Sequence, residues 1–282
     1  AAQEQLELYV QQDPGSARAQ AALARLLFKT GDHEGAIDAF AAALQTTTDD
    51  PMLYADYAMA QQSAGQLDQA GDSLKRALEL RPRFRLAVVN LANIKLQTKS
   101  LKRAEELYKK AEAMAPHLAL VKVNHGRSAE SRGNFKKARR LYKKAIETDP
   151  FDALGHLHLV LLEYDKRRFR EARKAIKAAL KIHPKHAPFY WVRGRIAAQE
   201  RDGETALKDY RLFLELAPNE SNAWLEVGMQ LARLDKPEEA IKVLNEGKAK
   251  TGNEERFNSI LRIIHNRPRV PEFPEMGFEL ND

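Results

Sequence analysis

Histidine is the residue type in this chain best suited to chemistry, because its ring can bind a metal ion or transfer a proton near neutral pH. Two close pairs stand out among the eight histidines, His156 with His158 and His183 with His186. Two residues apart on a helix, the first pair points to different faces, and the second pair flanks Pro184. Neither pair presents two ring nitrogens to one ion, so we expect no metal site.

The sequence offers no other catalytic constellation. It contains no cysteine, which excludes disulfides, thiolate metal sites and a cysteine nucleophile. A glycine-rich phosphate loop, a nucleophile elbow and paired carboxylates at helical spacing are also missing from the sequence. We therefore expect a protein that is not an enzyme and needs no cofactor, and whose function comes from its surfaces.

The elements that build those surfaces repeat along the chain at one fixed interval. Each period contains two stretches with apolar residues at helical spacing, such as Val88 and Leu91 followed by Leu107 and Ala111. A proline ends most periods, because it cannot donate a backbone hydrogen bond. The pattern predicts one helical hairpin per period, stacked as a repeat array. The period is marked by Ala36, Ala70, Ala104, Ala138, Ala172, Ala206 and Ala240.

This pattern resembles the tetratricopeptide repeat family. The family has a small residue at position 8 of each unit, alanine at 20, a large residue at 24, a small residue at 27 and proline at 32. With units numbered from Ala17, the fourth unit matches with Gly126, Ala138, Tyr142, Ala145 and Pro150. The resemblance implies an all-α fold, a right-handed α-α superhelix. Beyond the last repeat, the residue pattern itself predicts a C-terminal capping helix and then an extended tail.

The repeat pattern divides the chain into four segments. Residues 1–14 resemble the second helix of a truncated preceding repeat, so we expect the chain to open inside an earlier repeat. Residues 15–254 hold seven tandem 34-residue units, residues 255–266 a capping helix, and residues 267–282 a proline-rich extended tail. Some residues depart from the family pattern and question the local geometry of their units. Val160 replaces a small residue, and Gly247 replaces an alanine.

In tetratricopeptide arrays the first helices line a concave groove, and the resemblance implies that positions 2, 5, 6, 9, 12 and 13 of each unit face a bound partner. Trp191 follows Tyr190, which occupies the usual packing position, so we expect Trp191 to project into the groove. The alternative is that some of these side chains are buried between adjacent helices. The predicted peptide-binding residues are Met52, Met59, Leu86, Val89, Asn93, Leu120, Val123, Asn124, Leu157, Leu161, Tyr164, Trp191, Leu225 and Met229.

The predicted function is a non-enzymatic scaffold or adaptor that binds a protein or peptide in this apolar groove and mediates complex assembly. Asn93 and Asn124 are candidates for hydrogen bonds to an extended peptide backbone, with simple solvation as the alternative. Chaperone-binding members of the family grip an acidic carboxyl terminus with cations. Here Val89, Leu154 and His158 stand at those positions, so we expect no such clamp.

Basic residues are concentrated in the middle of the chain. Between Lys95 and His186 there are 24 basic and 10 acidic residues, whereas the whole chain has a net charge of +7. The alternative function is an accessory or targeting domain of a larger enzyme or secretion machine, which binds an anionic polymer or membrane surface through a basic convex face. A merely solvated face is the competing interpretation, and nucleic acid is disfavoured because the patch lacks aromatic residues for base stacking. The predicted anionic-partner-binding residues are Lys136, Lys137, Arg139, Arg140, Lys143, Lys144, Arg173 and Lys177.

No part of the sequence has the composition of a membrane span. Charged residues make up 30% of the chain, and an uninterrupted apolar run of roughly 20 residues, which a span needs, is missing. We expect a soluble protein of the cytoplasm or the periplasm, without a transmembrane segment.

Two specific contacts are predicted. The tail contains both acidic and apolar residues, and we expect Phe273, Met276 or Phe278 to pack on the surface of a repeat array. If this array belongs to the same chain, the tail is autoinhibitory. If it belongs to a second copy, the contact forms an oligomer. A simple linker is the alternative.

Glu163 and Arg193 should both point into the seam between neighbouring first helices, and we expect them to form an ion pair because an unpaired charge there is costly.

Overall fold

The computed structural model describes residues 2–266, and every regular element within that range is an α-helix. The all-α class predicted from the sequence is confirmed, while the predicted contact of residues 267–282 lies outside the described residues. The helices are α1 (Ala2–Gln12), α2 (Ala17–Thr30), α3 (His33–Thr46), α4 (Pro51–Ser63), α5 (Leu67–Leu80), α6 (Arg85–Gln97), α7 (Leu101–Met114), α8 (Ala119–Ser131), α9 (Phe135–Thr148), α10 (Ala153–Asp165), α11 (Phe169–Ile182), α12 (Ala187–Gln199), α13 (Gly203–Leu216), α14 (Ser221–Arg233), α15 (Pro237–Thr251) and α16 (Glu254–His265).

Helices α2 to α15 pair as hairpins, each made of a first helix and the second helix that follows it. The chain forms two compact units. Residues 1–149 hold α1 to α9 and are called the N-terminal unit; residues 150–282 hold α10 to α16 and are called the C-terminal unit. Within each unit, the second helix of one hairpin packs against the first helix of the next. The first helices begin at the constant interval that the sequence predicts, at Ala17, Pro51, Arg85, Ala119, Ala153, Ala187 and Ser221.

Short polar side chains start many of these helices. An N-cap oxygen accepts a hydrogen bond from a backbone N–H of the first turn, which otherwise has no partner in the helix. Asp50, for example, accepts from the backbone of Met52 at 2.8 Å. The residues that cap in this way are Ser16, Asp32, Asp50, Asn134, Asp152 and Asp202.

One residue in the turn of each hairpin adopts the left-handed conformation. In three hairpins it is glycine, at Gly31, Gly65 and Gly133, which has no Cβ to clash with the backbone. In the other four hairpins a residue with a side chain takes the same conformation, at a cost of roughly 1–2 kcal/mol each. These residues are Lys99, Arg167, Arg201 and Asp235, with φ of 56°, 54°, 64° and 58°.

Small residues allow the two helices of a hairpin to approach closely. All seven alanines that mark the period are fully buried. Position 8 and position 24 are complementary in size: a Cβ added at Gly126 would lie 2.3 Å from Cε1 of Tyr142. In the fifth hairpin, Val160 packs in one core cluster with Ile176, a smaller side chain than tyrosine. The larger residue at position 8 is therefore matched by a smaller residue at position 24.

Helix α16 packs against α14 and α15. Its side chains Phe257 and Ile260 are buried, with 0% and 4% exposed. A Cβ added at Gly247 would lie 2.5 Å from Cβ of Trp224 and 2.8 Å from Cε1 of Phe257. The alanine expected at this position is therefore excluded by the two aromatic side chains that fill its space.

Candidate functional site

A row of exposed apolar side chains lies on the first helices of the N-terminal unit. Met52, Leu86 and Leu120 are the second residues of α4, α6 and α8, and they are 40%, 38% and 49% exposed. Met59, two turns further along α4, is 36% exposed. Because α4 contacts α6 and α6 contacts α8, equal positions on these helices form one row, which we call the apolar ladder. In the C-terminal unit, Leu154 holds the same position on α10 and is also exposed.

Many of the other predicted peptide-binding residues are buried. Trp191 is only 4% exposed, so the prediction that it projects into a groove is wrong. Neighbouring first helices such as α10 and α12 pack against each other, and this contact buries the side chains in the seam between them. The half-buried residues are Val89, Asn93, Leu161 and Tyr164. The buried residues are Val123, Asn124, Leu157, Trp191, Leu225 and Met229.

Trp191 belongs to an internal polar network of the C-terminal unit. Its Nε1 donates a hydrogen bond to Oε1 of Glu226 at 2.9 Å. The guanidinium of Arg195 lies 5.2 Å from the Trp191 ring centroid and 5.6 Å from that of Tyr164. Burial raises the pKa of Glu226, although Arg195 and the Trp191 hydrogen bond act in the opposite direction. The network joins α10, α12 and α14, so its role is to hold these helices together.

The two asparagines predicted to bind a peptide backbone make contacts inside the N-terminal unit. Oδ1 of Asn93 accepts hydrogen bonds from the hydroxyl of Tyr108 at 2.6 Å and from Nδ2 of Asn124 at 3.4 Å. Asn124 is itself buried. These amides link α6, α7 and α8, and a bound peptide would have to compete with those internal contacts.

The predicted ion pair between Glu163 and Arg193 is wrong. Nε and Nη2 of Arg193 donate to the two carboxylate oxygens of Asp209 at 2.8 and 2.6 Å. These hydrogen bonds raise the pKa of Arg193. Oε2 of Glu163 lies 3.2 Å from Nε of Arg168. The partner of Arg193 therefore comes from α13, the second helix of its own hairpin, and not from the preceding first helix.

The predicted basic surface contains both exposed and paired cations. Nζ of Lys137 donates to Oε1 of Glu105 at 2.6 Å, and Arg173 forms an ion pair with Glu200. Both acids come from a neighbouring hairpin, so these two cations form ion pairs between repeats. Arg139 is half-buried. The remaining cations, Lys136, Arg140, Lys143, Lys144 and Lys177, are exposed.

The structure brings together three histidines that the sequence places in two different pairs. The ring of His183 lies 5.8 Å from that of His156 and 6.2 Å from that of His186, measured between centroids. Nε2 of His156 lies 3.0 Å from the carbonyl oxygen of Pro150. Burial, assisted by His183, lowers the pKa of both His156 and His186. The folded protein therefore favours the neutral forms of His156 and His186.

We expect the C-terminal unit to lose stability as the pH falls. The unfolded rings bind a proton near pH 6.5, whereas the pKa of folded His156 and His186 is lower. Stability is therefore fully present above about pH 6.5 and decreases as the pH drops towards the folded pKa values. Thermal melting followed by circular dichroism between about pH 7.5 and about pH 5 measures this loss.

The double variant His156→Gln/His186→Gln should show a smaller decrease of the melting temperature over the same range. The matched control is His117→Gln, which changes an exposed histidine in a turn. Glu226 is present in all three proteins, so its own titration cancels in the comparison. Equal pH dependence in the wild type and the double variant would contradict the assignment.

Two kinds of site are missing from residues 2–266. No group of three or more histidine, aspartate or glutamate side chains there has the arrangement of a metal site. None of the helices in this range combines the length and the apolar character needed to cross a bilayer.

The stacked hairpins define a repeat protein of the all-α class. Sequence comparison agrees with this class: one model of the tetratricopeptide repeat matches residues 57–119, 123–167 and 157–221, and a second matches residues 1–61. The matches cover most of the chain, which belongs to the tetratricopeptide repeat family. A search of curated protein sequences gave no match.

Solved structures share the fold at low sequence identity. A tetratricopeptide repeat protein from Parabacteroides merdae is 16% identical, with a TM-score of 0.67 over 89% of this chain and 99% of that chain. A chain of the APC/C hetero-tetramer Cut9–Hcn1 is 16% identical, with a TM-score of 0.61 over 90% of this chain. This chain spans only 50% of the length of that one. The type IV pilus biogenesis factor PilW is 18% identical, with a TM-score of 0.61 over 75% of this chain and 98% of that chain.

Proposed function

We propose that this protein is a non-enzymatic scaffold that binds an apolar segment of a partner protein on the apolar ladder of its N-terminal unit. The observation that carries the proposal is the exposure of Met52, Leu86 and Leu120 at one position of three successive first helices. Repeat scaffolds of this fold are typical of protein–protein interaction, and one structure with the same fold is a chain of a hetero-tetramer.

Burial of the ladder side chains under a partner segment is energetically favourable. A fully buried large apolar side chain contributes roughly 1.5–3 kcal/mol relative to an exposed one. The three ladder residues are between 38% and 49% exposed, so covering each of them contributes about 1 kcal/mol. Met52 and Met59 also have flexible side chains that adapt to the shape of a partner. These contributions favour a partner with apolar residues at matching spacing.

The double variant Leu86→Asp/Leu120→Asp should bind the partner at least about tenfold more weakly, because two charges would have to be desolvated in the interface. Its melting temperature should stay close to that of the wild type, since both residues lie at the surface, 38% and 49% exposed. The partner is first captured from cell extract, identified and purified, and the dissociation constants are then measured by calorimetry.

Two controls accompany this measurement. Leu8→Asp changes an apolar residue of α1 that is 56% exposed and lies outside the ladder, so it should leave the affinity unchanged. Leu91→Asp changes a buried residue and should instead unfold the unit. If the ladder variant binds as tightly as the wild type, the partner uses another surface.

A further inference from the structure

One carboxylate is shared by three cations where α7 meets the turn between α8 and α9. Oε1 of Glu105 accepts a hydrogen bond from Nζ of Lys137 at 2.6 Å and lies 3.3 Å from Nζ of Lys109. The other oxygen, Oε2, contacts the guanidinium of Arg132. A single negative charge therefore faces three positive charges, and we call this group the Glu105 cluster.

The neighbouring acids Glu106 and Glu112 make their close contacts with side chains outside the cluster. Oε2 of Glu106 accepts from Arg103 at 2.9 Å, and Oε1 of Glu112 lies 2.5 Å from Nδ1 of His125. The pKa of Lys137 is lowered. Burial is the main cause that lowers its pKa, and repulsion from Lys109, Arg132 and Arg140 adds to the effect, against an opposing contribution from Glu112.

The surplus of positive charge continues along α9. Lys136, Arg140, Lys143 and Lys144 are exposed, and no ion pair is formed by these four side chains within residues 2–266. Like charges that remain close together in the free protein repel each other, and an incoming anion relieves that repulsion. The Glu105 cluster is thus a place where a second carboxylate is attracted.

We propose that the Glu105 cluster and the adjoining Arg140 form a binding site for an acidic protein segment, distinct from the apolar ladder. The cluster already holds one carboxylate in close contact with Lys137, which shows that its cations suit this chemistry. A membrane is disfavoured because none of the exposed large hydrophobic residues in the described range lies on α7 or α9. Nucleic acid is disfavoured because the tyrosines of these helices, Tyr108 and Tyr142, are fully buried.

Fluorescence anisotropy with a fluorescein-labelled octaglutamate peptide tests the site at low ionic strength, where screening is weakest. The wild type should bind the peptide saturably. Lys137→Gln should weaken binding about tenfold because it removes a charge-assisted hydrogen bond to a carboxylate of the peptide. Glu105→Gln should strengthen binding about fivefold, since it removes the carboxylate that competes for the same cations. Arg76→Gln, which removes an exposed cation from α5 of the same unit, is the matched control and should change nothing.

The outcomes are separable. Binding that is unchanged in Lys137→Gln, or that is not strengthened in Glu105→Gln, would overturn the site. A preference for anionic phospholipid vesicles or for single-stranded oligothymidine over octaglutamate would assign the surface to a different partner class. If Lys137→Gln loses its helical content, the Glu105→Gln result decides alone. The ladder variant Leu86→Asp/Leu120→Asp should bind octaglutamate like the wild type. The experiment therefore tests the acidic-segment site separately from the proposed scaffold function of the apolar ladder.

Discussion

Replacing Gly126 by alanine is expected to lower the free energy of unfolding by about 2 kcal/mol, because the added methyl group overpacks the contact between α8 and α9. Its Cβ would lie 2.3 Å from Cε1 and 2.7 Å from Cδ1 of Tyr142. The ring of Tyr142 is fully buried, and its hydroxyl donates to Oε2 of Glu130 at 2.7 Å. The ring therefore has no open space to move into. Alanine's higher helix propensity offsets only about 1 kcal/mol of the overpacking cost.

The same substitution at Gly71 should have the opposite sign. Gly71 lies in α5 of the same unit, and the nearest atoms to an added Cβ are those of Ile94 and Lys95 at 3.9 Å. That distance is ordinary van der Waals contact, so Gly71→Ala should raise the free energy of unfolding by up to about 1 kcal/mol through helix propensity. Urea denaturation followed by circular dichroism compares the two midpoints. Shifts of the same sign and size would show that position 8 is not tightly packed.

The second large effect is expected for Arg193→Met, which should cost about 3 kcal/mol of stability. Methionine keeps the apolar stem of the side chain but removes the guanidinium that donates two hydrogen bonds to Asp209. The side chain of Asp209 is only 2% exposed. Its charge would remain buried without the partner, which is the main source of the cost.

A second substitution separates this cost from lost packing. The double variant Arg193→Met/Asp209→Leu removes both charges and should recover most of the stability. Arg76→Met breaks an ion pair with Glu79 whose two side chains are 48% and 64% exposed. It should leave the thermal midpoint almost unchanged, since exposed pairs contribute little. An Arg193→Met midpoint equal to that of Arg76→Met would contradict a structural role for the buried pair.

The hairpins were predictable from the sequence because their determinants are local and recur at a fixed interval. Gly126 with Tyr142, for instance, marks a close contact between the two helices of one hairpin, and comparable pairs recur at the same positions of other units. Proline and glycine mark where the helices end and reverse. All of this information is contained within a single repeat.

The exposure of individual first-helix residues was not predictable in the same way. Whether a side chain reaches solvent depends on how closely one first helix approaches the next, and that is a relation between repeats. Met52 at position 2 stays exposed, whereas Leu225 at position 5 is completely buried. Trp191 was misassigned because its size and polarity suit an interface, while its indole N–H has an internal acceptor in Glu226.

The sequence indicated that some buried charges need a partner, but it did not identify which residue the partner is. The cost of an isolated charge correctly indicated that Arg193 needs a carboxylate, but Glu163 and Asp209 were both within plausible sequence distance. Only the structure shows that Asp209 is the partner. The signal missed on the basic surface was Glu105, which precedes Lys137 by 32 residues and therefore lies at nearly equivalent height in the preceding hairpin.

The left-handed turn residues have a consequence for how this chain can evolve. Since a hairpin contacts its nearest neighbours, the strain introduced by Lys99 or Arg201 in one turn is confined to that turn and does not shift the helices of distant hairpins. The sequence spacing between successive first helices is the same on both sides of Lys99, as it is around Gly65. Each turn can thus exchange glycine for a charged residue independently of the others. Surface residues in the turns can therefore change in one repeat at a time, while the arrangement of the helices stays the same.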